Sequence, residues 1–356
     1  MRTKTFISII LSLLICSMTA SAAELTSDYN ESQRRPAPPF VPPMPPVPPR
    51  NPIADLVRRC VVLDGHHYRG LTVFPVRVQG YWLGLNPLTL DEALARGTLI
   101  VMEKGGGEVP VLLVENRGPE HVFIMAGEIL VGGKQNRILR TDVLLPPYSG
   151  PIELSAYCVE AGRWIKSADG FKSDGHLASP QVRFEAQKAA DQGAIWRGVE
   201  EAAKAVGQVS ETRDFNYVYN QAEVARQIRD YRDEFCRVMP GQIIGVVVAR
   251  NGEFVGADLF GDAGLFLKLR GKVLDSYAID ILNRAQAPTF IPDREAAQQF
   301  LYRVLAARYW TEPCPGAGVT GRAVGNGVDA RGLIWSERAV HVSMFPAFTV
   351  MPMPVR

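Results

Sequence analysis

Charge of one sign is missing from this chain. Its 356 residues carry 39 basic and 37 acidic side chains, a net charge of +2. That balance fits neither an acidic tail nor a basic protein wrapped on nucleic acid, so no nucleic-acid partner is expected. Histidine and cysteine are also scarce, at five residues each. There is no C-x-x-C, and His66 and His67 are neighbours that point apart on a strand or loop, so no metal site is expected. No G-x-S-x-G elbow is present. Beyond the N-terminus no apolar stretch approaches the ~20 residues of a membrane span. With 47% hydrophobic residues the chain has enough apolar surface for a core, which excludes global disorder.

What is present divides the chain by region. Arg2 and Lys4 precede an apolar run from Phe6 to Met18, and Ala20-Ser21-Ala22 offers small residues for a signal peptidase. Residues 1–22 therefore read as a signal peptide cleaved after Ala22, and the mature chain as periplasmic or secreted without a transmembrane anchor. Cys16 suggests a lipoprotein alternative, but Ile15 stands where a small residue is usual. Ten prolines follow between Pro36 and Pro52. Proline fixes φ and lacks an N–H, so residues 23–52 read as a disordered, semi-rigid spacer. A ligand for a proline-recognising partner is the alternative. After cleavage Cys60, Cys158, Cys236 and Cys314 remain. At most one bridge is expected, with Cys60–Cys314 the candidate because both lie near domain ends. Cys158 sits in an apolar run and reads as a buried thiol.

Residues 53–346 read as a single domain, followed by a tail at 347–356. Strands are expected at Leu71–Val76, Thr98–Met102, Val109–Glu115, Val122–Ala126, Ile138–Leu145 and Ile152–Val159, with turn residues between them. Thr89-Leu90-Asp91-Glu92 is a capping box for a helix that stops at Gly97. Pro180–Gly207 is rich in helix formers. Val224, Ile228, Tyr231 and Phe235 form one face of a helix over Asn220–Arg237. Asn251-Gly252 joins Ile243–Ala249 to Phe254–Phe260 as a hairpin. A helix after Gly261, capped by Asp262, buries Leu265, Leu269, Val273 or Leu274, Tyr277 and Ile281. Glu295–Tyr309 reads as a helix, Pro313–Gly332 with its six glycines as a loop, and Leu333–Phe345 as a closing strand. The fold class is α+β: a β-rich antiparallel core, sandwich or barrel-like, with a helical insertion and a C-terminal closing strand. Gly127-Glu128-Ile-Leu-Val131-Gly132 echoes Gly252-Glu253-Phe-Val255-Gly256, either as two similar hairpins or as a duplicated unit.

Candidate chemistry concentrates in two runs. In the first, glycines adjoin Lys134, Gln135, Asn136 and Arg137. The cations suit a phosphate or carboxylate, and the amides suit hydroxyls. Glu128 and Gln135 stand where a phosphate-binding P-loop needs glycine and Ser/Thr, so this is not one. In the second, Glu160 and Arg163 either form an ion pair that orients Trp164 or present Arg163 to an anion with Trp164 stacking on a base or sugar. Glu128 and His341 are the candidate bases, although a lone strand histidine is more often structural.

These runs, with Gly252…Val255-Gly256-Ala257-Asp258-Leu-Phe260-Gly261, Ser276-Tyr277-Ala278 and Val340-His341-Val342-Ser343-Met344-Phe345, resemble the ARG and rhodanese-phosphatase-superfamily-associated protein domain, where ARG means ADP-ribosylglycohydrolase. The resemblance spans roughly Cys60 to Phe345. It implies association with ADP-ribose-cleaving and phosphatase-like enzymes, with no established reaction or cofactor. It draws attention to Glu128, Lys134, Gln135, Asn136, Arg137, Glu160, Arg163 and His341 without giving any of them a role. Two functions follow: a site for a small anionic, nucleotide- or sugar-derived ligand, or a non-catalytic envelope or secreted interaction module displayed on the spacer.

Overall fold

The computed structural model describes residues 50–347, apart from 82, 106–109, 164, 166–169, 189–190, 208–209, 240, 283 and 285–289. The expected signal segment, the expected spacer up to residue 49, Trp164 and the expected tail from 348 lie outside the described residues.

Helix α1 (Pro52–Val57) opens the fold, with Asn51 accepting a bond from Ala54 N as its N-cap and Pro52 in the first turn. Proline belongs there because its missing N–H would be unpaired anyway. Pro52, counted above with the spacer, is thus the first residue of a helix. Then come β1 (Cys60–Val62), β2 (His66–Tyr68), β3 (Leu71–Val78) and the short β4 (Leu88–Thr89), which runs into α2 (Leu90–Ala95). Both halves of the Thr89–Glu92 capping box form. Next are β5 (Leu99–Glu103), β6 (Val111–Asn116), β7 (Val122–Ile124), β8 (Glu128–Gly132), β9 (Arg137–Leu139), β10 (Val143–Leu145), β11 (Gly150–Cys158) and β12 (Phe171–Leu177). The helical insertion holds α3 (Pro180–Gln187), α4 (Gln192–Ala205), α5 (Phe215–Tyr219) and α6 (Ala222–Arg237). The hairpin β13 (Ile243–Arg250) and β14 (Glu253–Phe260) leads to α7 (Ala263–Ile281) and α8 (Arg294–Tyr302), which ends in a 3₁₀ turn at Arg303–Ala306. Last come β15 (Arg308–Pro313), β16 (Val319–Gly325), β17 (Val328–Trp335) and β18 (Arg338–Pro346).

The expected α+β, β-rich antiparallel architecture is present. A nine-stranded sheet runs β1-β3-β13-β14-β18-β17-β16-β15, with β2 also on β3. Strands β12-β8-β9-β11-β6-β5 form a second sheet, and β10-β7-β4 a third. Only the β4–β7 pair is parallel among the described pairs. The large sheet is covered on both faces. Val246 and Val248 of β13 join the core with α6 and α7, while Ile244 and Val247 join the one with α1 and α8. A strand buried on both sides reads as a continuous apolar run, which is what Ile243–Ala249 is. A third core lies inside the smaller sheets.

Four expectations change. Ile138–Leu145 is two strands, because Asp142 turns inward to accept a bond from Ala126 N at 2.8 Å. Pro313–Gly332 is largely strand, and the closing strand is a hairpin whose two-residue turn, Ser336-Glu337, has φ of +47° and +58°. Tyr309 belongs to β15 and not to a helix. All four described cysteines are free. Cys60 lies on β1, at one edge of the large sheet, and Cys314 follows β15, at the opposite edge. Nearness to the ends of the domain in sequence was not nearness in space. Cys158 is buried, as its apolar run implied. The glycine–glutamate echo is local: Gly127 and Gly252 have φ of +87° and +93° and precede β8 and β14, which sit in different sheets.

Candidate functional site

The first candidate run is the β8–β9 hairpin, in which Leu130 pairs with Arg137. Gly132 is required there, since a Cβ would fall 2.3 Å from the Gly170 carbonyl oxygen. Asn136 ties the turn together. Its Oδ1 accepts from Gly132 N at 3.1 Å, its Nδ2 donates to Asp214 at 3.0 Å, and its backbone N–H donates to Glu160 at 3.1 Å. Arg163 grips both oxygens of Glu160, at 2.8 Å from Nε and 2.7 Å from Nη2, and donates to the Gly133 carbonyl at 2.9 Å. Asn136, Glu160 and Arg163 are therefore brought together, and they bond chiefly to one another and to the turn. Lys134 is half-buried, and its N–H donates to Glu103 at 2.9 Å. Trp164, their expected stacking neighbour, is outside the described residues.

Arg137 differs from this set. Its side chain is fully buried. Nη1 donates to the Gln135 carbonyl at 3.0 Å, but Nε and Nη2 have no hydrogen-bond partner among the described residues. The nearest carboxylate oxygen to Nη2 belongs to Glu103, at 3.7 Å, beyond hydrogen-bond reach. Burial lowers the pKa of this guanidinium, and Cys158 and Glu103 only partly oppose that.

The two candidate bases sit elsewhere. Glu128 is fully buried, accepting from Lys272 Nζ of α7 at 2.5 Å and from Met125 N at 2.9 Å. Lys272 also reaches Asp91 of α2 at 2.7 Å. Burial opposes the charge on Lys272, but Glu128 and Asp91 outweigh it and hold its pKa up. His341 is also fully buried, with Nδ1 2.7 Å from Asp142 and Nε2 3.2 Å from Asp258. Burial works to lower its pKa, but the two carboxylates raise it to about 9. Asp258 in turn accepts from both Nη atoms of Arg183, at 3.0 and 2.5 Å, and from Tyr277 Oη at 2.9 Å. Arg183 and His341 hold Asp258 below the usual carboxylate range despite burial.

This second network is the largest polar feature the sequence reading missed. It joins β14 and β18 of the large sheet, α3, α7 and the β9–β10 corner. Its local signals were His341, singled out as a candidate base, and Asp258, an acid inside an apolar strand; their pairing left none. Burying charges that are paired and hydrogen-bonded on every side is a structural arrangement more than a reactive one. Asp275 of α7 is a further buried acid. Burial raises it to about 7, against the pull of Arg232 at 2.8 Å.

Fold and site together define a three-sheet α+β domain whose buried charged residues are tied largely into internal ion-pair networks. The chain belongs to the family described as the ARG and Rhodanese-Phosphatase-superfamily-associated Protein domain, whose family model matches residues 59–345. No curated protein and no solved structure matches it.

Proposed function

We propose that the protein is exported and that its mature chain, residues 23–356, binds a small anionic ligand through Arg137. One observation carries this: Nε and Nη2 of a fully buried guanidinium have no hydrogen-bond partner among the described residues. These two nitrogens lie on one edge of the planar group, the edge that takes two oxygens of a carboxylate or phosphate in parallel bonds. A buried charged donor left without a hydrogen bond costs upwards of ~1–3 kcal/mol. A bound anion would remove that cost. Nucleotide- and sugar-derived phosphates are the ligand class in keeping with the family description. Binding is favoured over turnover because Glu128 and His341 are both enclosed by partners.

Replacing Arg137 with Met keeps the length and removes the charge. The expected result is that millimolar inorganic phosphate raises the Tm of the wild-type protein by mass action and leaves Arg137→Met unmoved. The ligand-free Tm of the variant should equal or exceed that of wild type. A variant that is several kcal/mol less stable, or that still responds to phosphate, would make Arg137 a structural residue. Mass spectrometry of the exported protein tests cleavage after Ala22.

A further inference from the structure

We infer a second, separate ligand site beside α3, for a small uncharged molecule built on a planar ring. A cavity of about 190 Å³ opens between α3, the β13–β14 hairpin, the last turn of α7 and the end of β18. Its apolar lining includes Phe184, Phe345 and Val255. The two rings lie 5.4 Å apart and tilted by 48°, the spacing at which aromatic groups attract, so a third ring entering beside them finds both a face and an edge.

The polar lining decides what kind of ring. Four charged residues border the cavity, and they form two acid–base pairs. Arg250 is bonded to Asp280, and Lys188 lies 3.5 Å from Glu185. The cavity therefore carries no net charge. An anion entering it gives up its hydration and meets as many carboxylates as cations. A neutral amide or carbonyl loses less and still finds donors, since only Nη1 of Arg250 is hydrogen-bonded to another described residue. Lys188 also sits 4.3 Å from the centre of the Phe184 ring, which fixes that ring as a wall. The site shares no residue with the Arg137 edge and stands or falls without it.

Saturation-transfer NMR with the full mature protein tests this, using benzamide as the neutral ring and benzoate as its anionic counterpart. Val255 is half-buried, so Val255→Trp fills the cavity from its wall without emptying a core. The inference expects saturable benzamide binding, benzoate at least tenfold weaker, and benzamide weakened at least tenfold in Val255→Trp. Arg137→Met should bind benzamide as wild type does. If Val255→Trp does not fold, Phe184→Ala should give the same loss. Absence of benzamide binding, equal binding by the wall variants, or loss of binding in Arg137→Met would overturn it.

Discussion

His341 shows how a single residue couples this fold to pH. Its folded pKa, about 9, lies above the ~6.5 of an unfolded chain. The stability it contributes is complete below pH ~6.5 and is lost as pH rises through about 9. Asp258 has the opposite sign: its folded pKa is depressed, so its contribution is present above pH ~4 and lost in acid. His341 and Asp258 taken by themselves give a plateau between ~4 and ~6.5 in chemical denaturation across pH, then a loss on the order of 3 kcal/mol towards pH 9. His341→Asn should be less stable overall but should flatten the alkaline limb. A third residue tilts the plateau itself. Asp275 is an acid whose folded pKa is raised to about 7, so ionising it costs stability as pH climbs from ~4. Asp275→Asn should raise the Tm at pH 8 and leave it nearly unchanged at pH 4, because Arg232 is one-third exposed and water can replace the lost partner. None of this was legible in the sequence. His341 lies 199 residues from Asp142 and 83 from Asp258, and no local spacing records such a pairing.

At the scale of elements the sequence was more readable where the signal was local. The stripe Val224, Ile228, Tyr231 and Phe235 is the buried face of α6. The Thr89 cap and the Asn251-Gly252 turn also formed as their chemistry dictates. Thr89→Ala should cost about 1 kcal/mol by denaturant titration. The error at 313–332 came from reading glycine as loop. In β17 and just before β16, glycine marks close backbone approach instead: a Cβ on Gly332 would sit 2.4 Å from the His341 carbonyl oxygen, and one on Gly318 2.2 Å from that of Ile334. Gly332→Ala should therefore lose about 1–3 kcal/mol, whereas a loop glycine would tolerate the change. The Ser336-Glu337 turn was missed because it reaches positive φ without Asn or Gly. The candidate turn at 132–137 was found from its composition, but composition could not tell a saturated Arg163 from an unsaturated Arg137. That difference depends on how the turn folds back on Arg163 through Gly133, and on Glu103 of β5 standing 3.7 Å from Arg137 Nη2.

At the scale of the whole molecule, the described residues between 50 and 347 form one compact unit. A chain beginning at Arg50 should therefore fold alone with the Tm of the mature protein. A lower Tm would mean that the spacer contributes to the fold. The four thiols carry a further consequence. Burial pushes Cys60 up to about 12 and Cys314 up to about 11, so neither is a thiolate at neutral pH. Refolding from denaturant should thus proceed at the same rate and yield with or without dithiothreitol. A protein built this way reaches its native state independently of the oxidising machinery of whichever compartment receives it, and it offers little thiol to that machinery once folded.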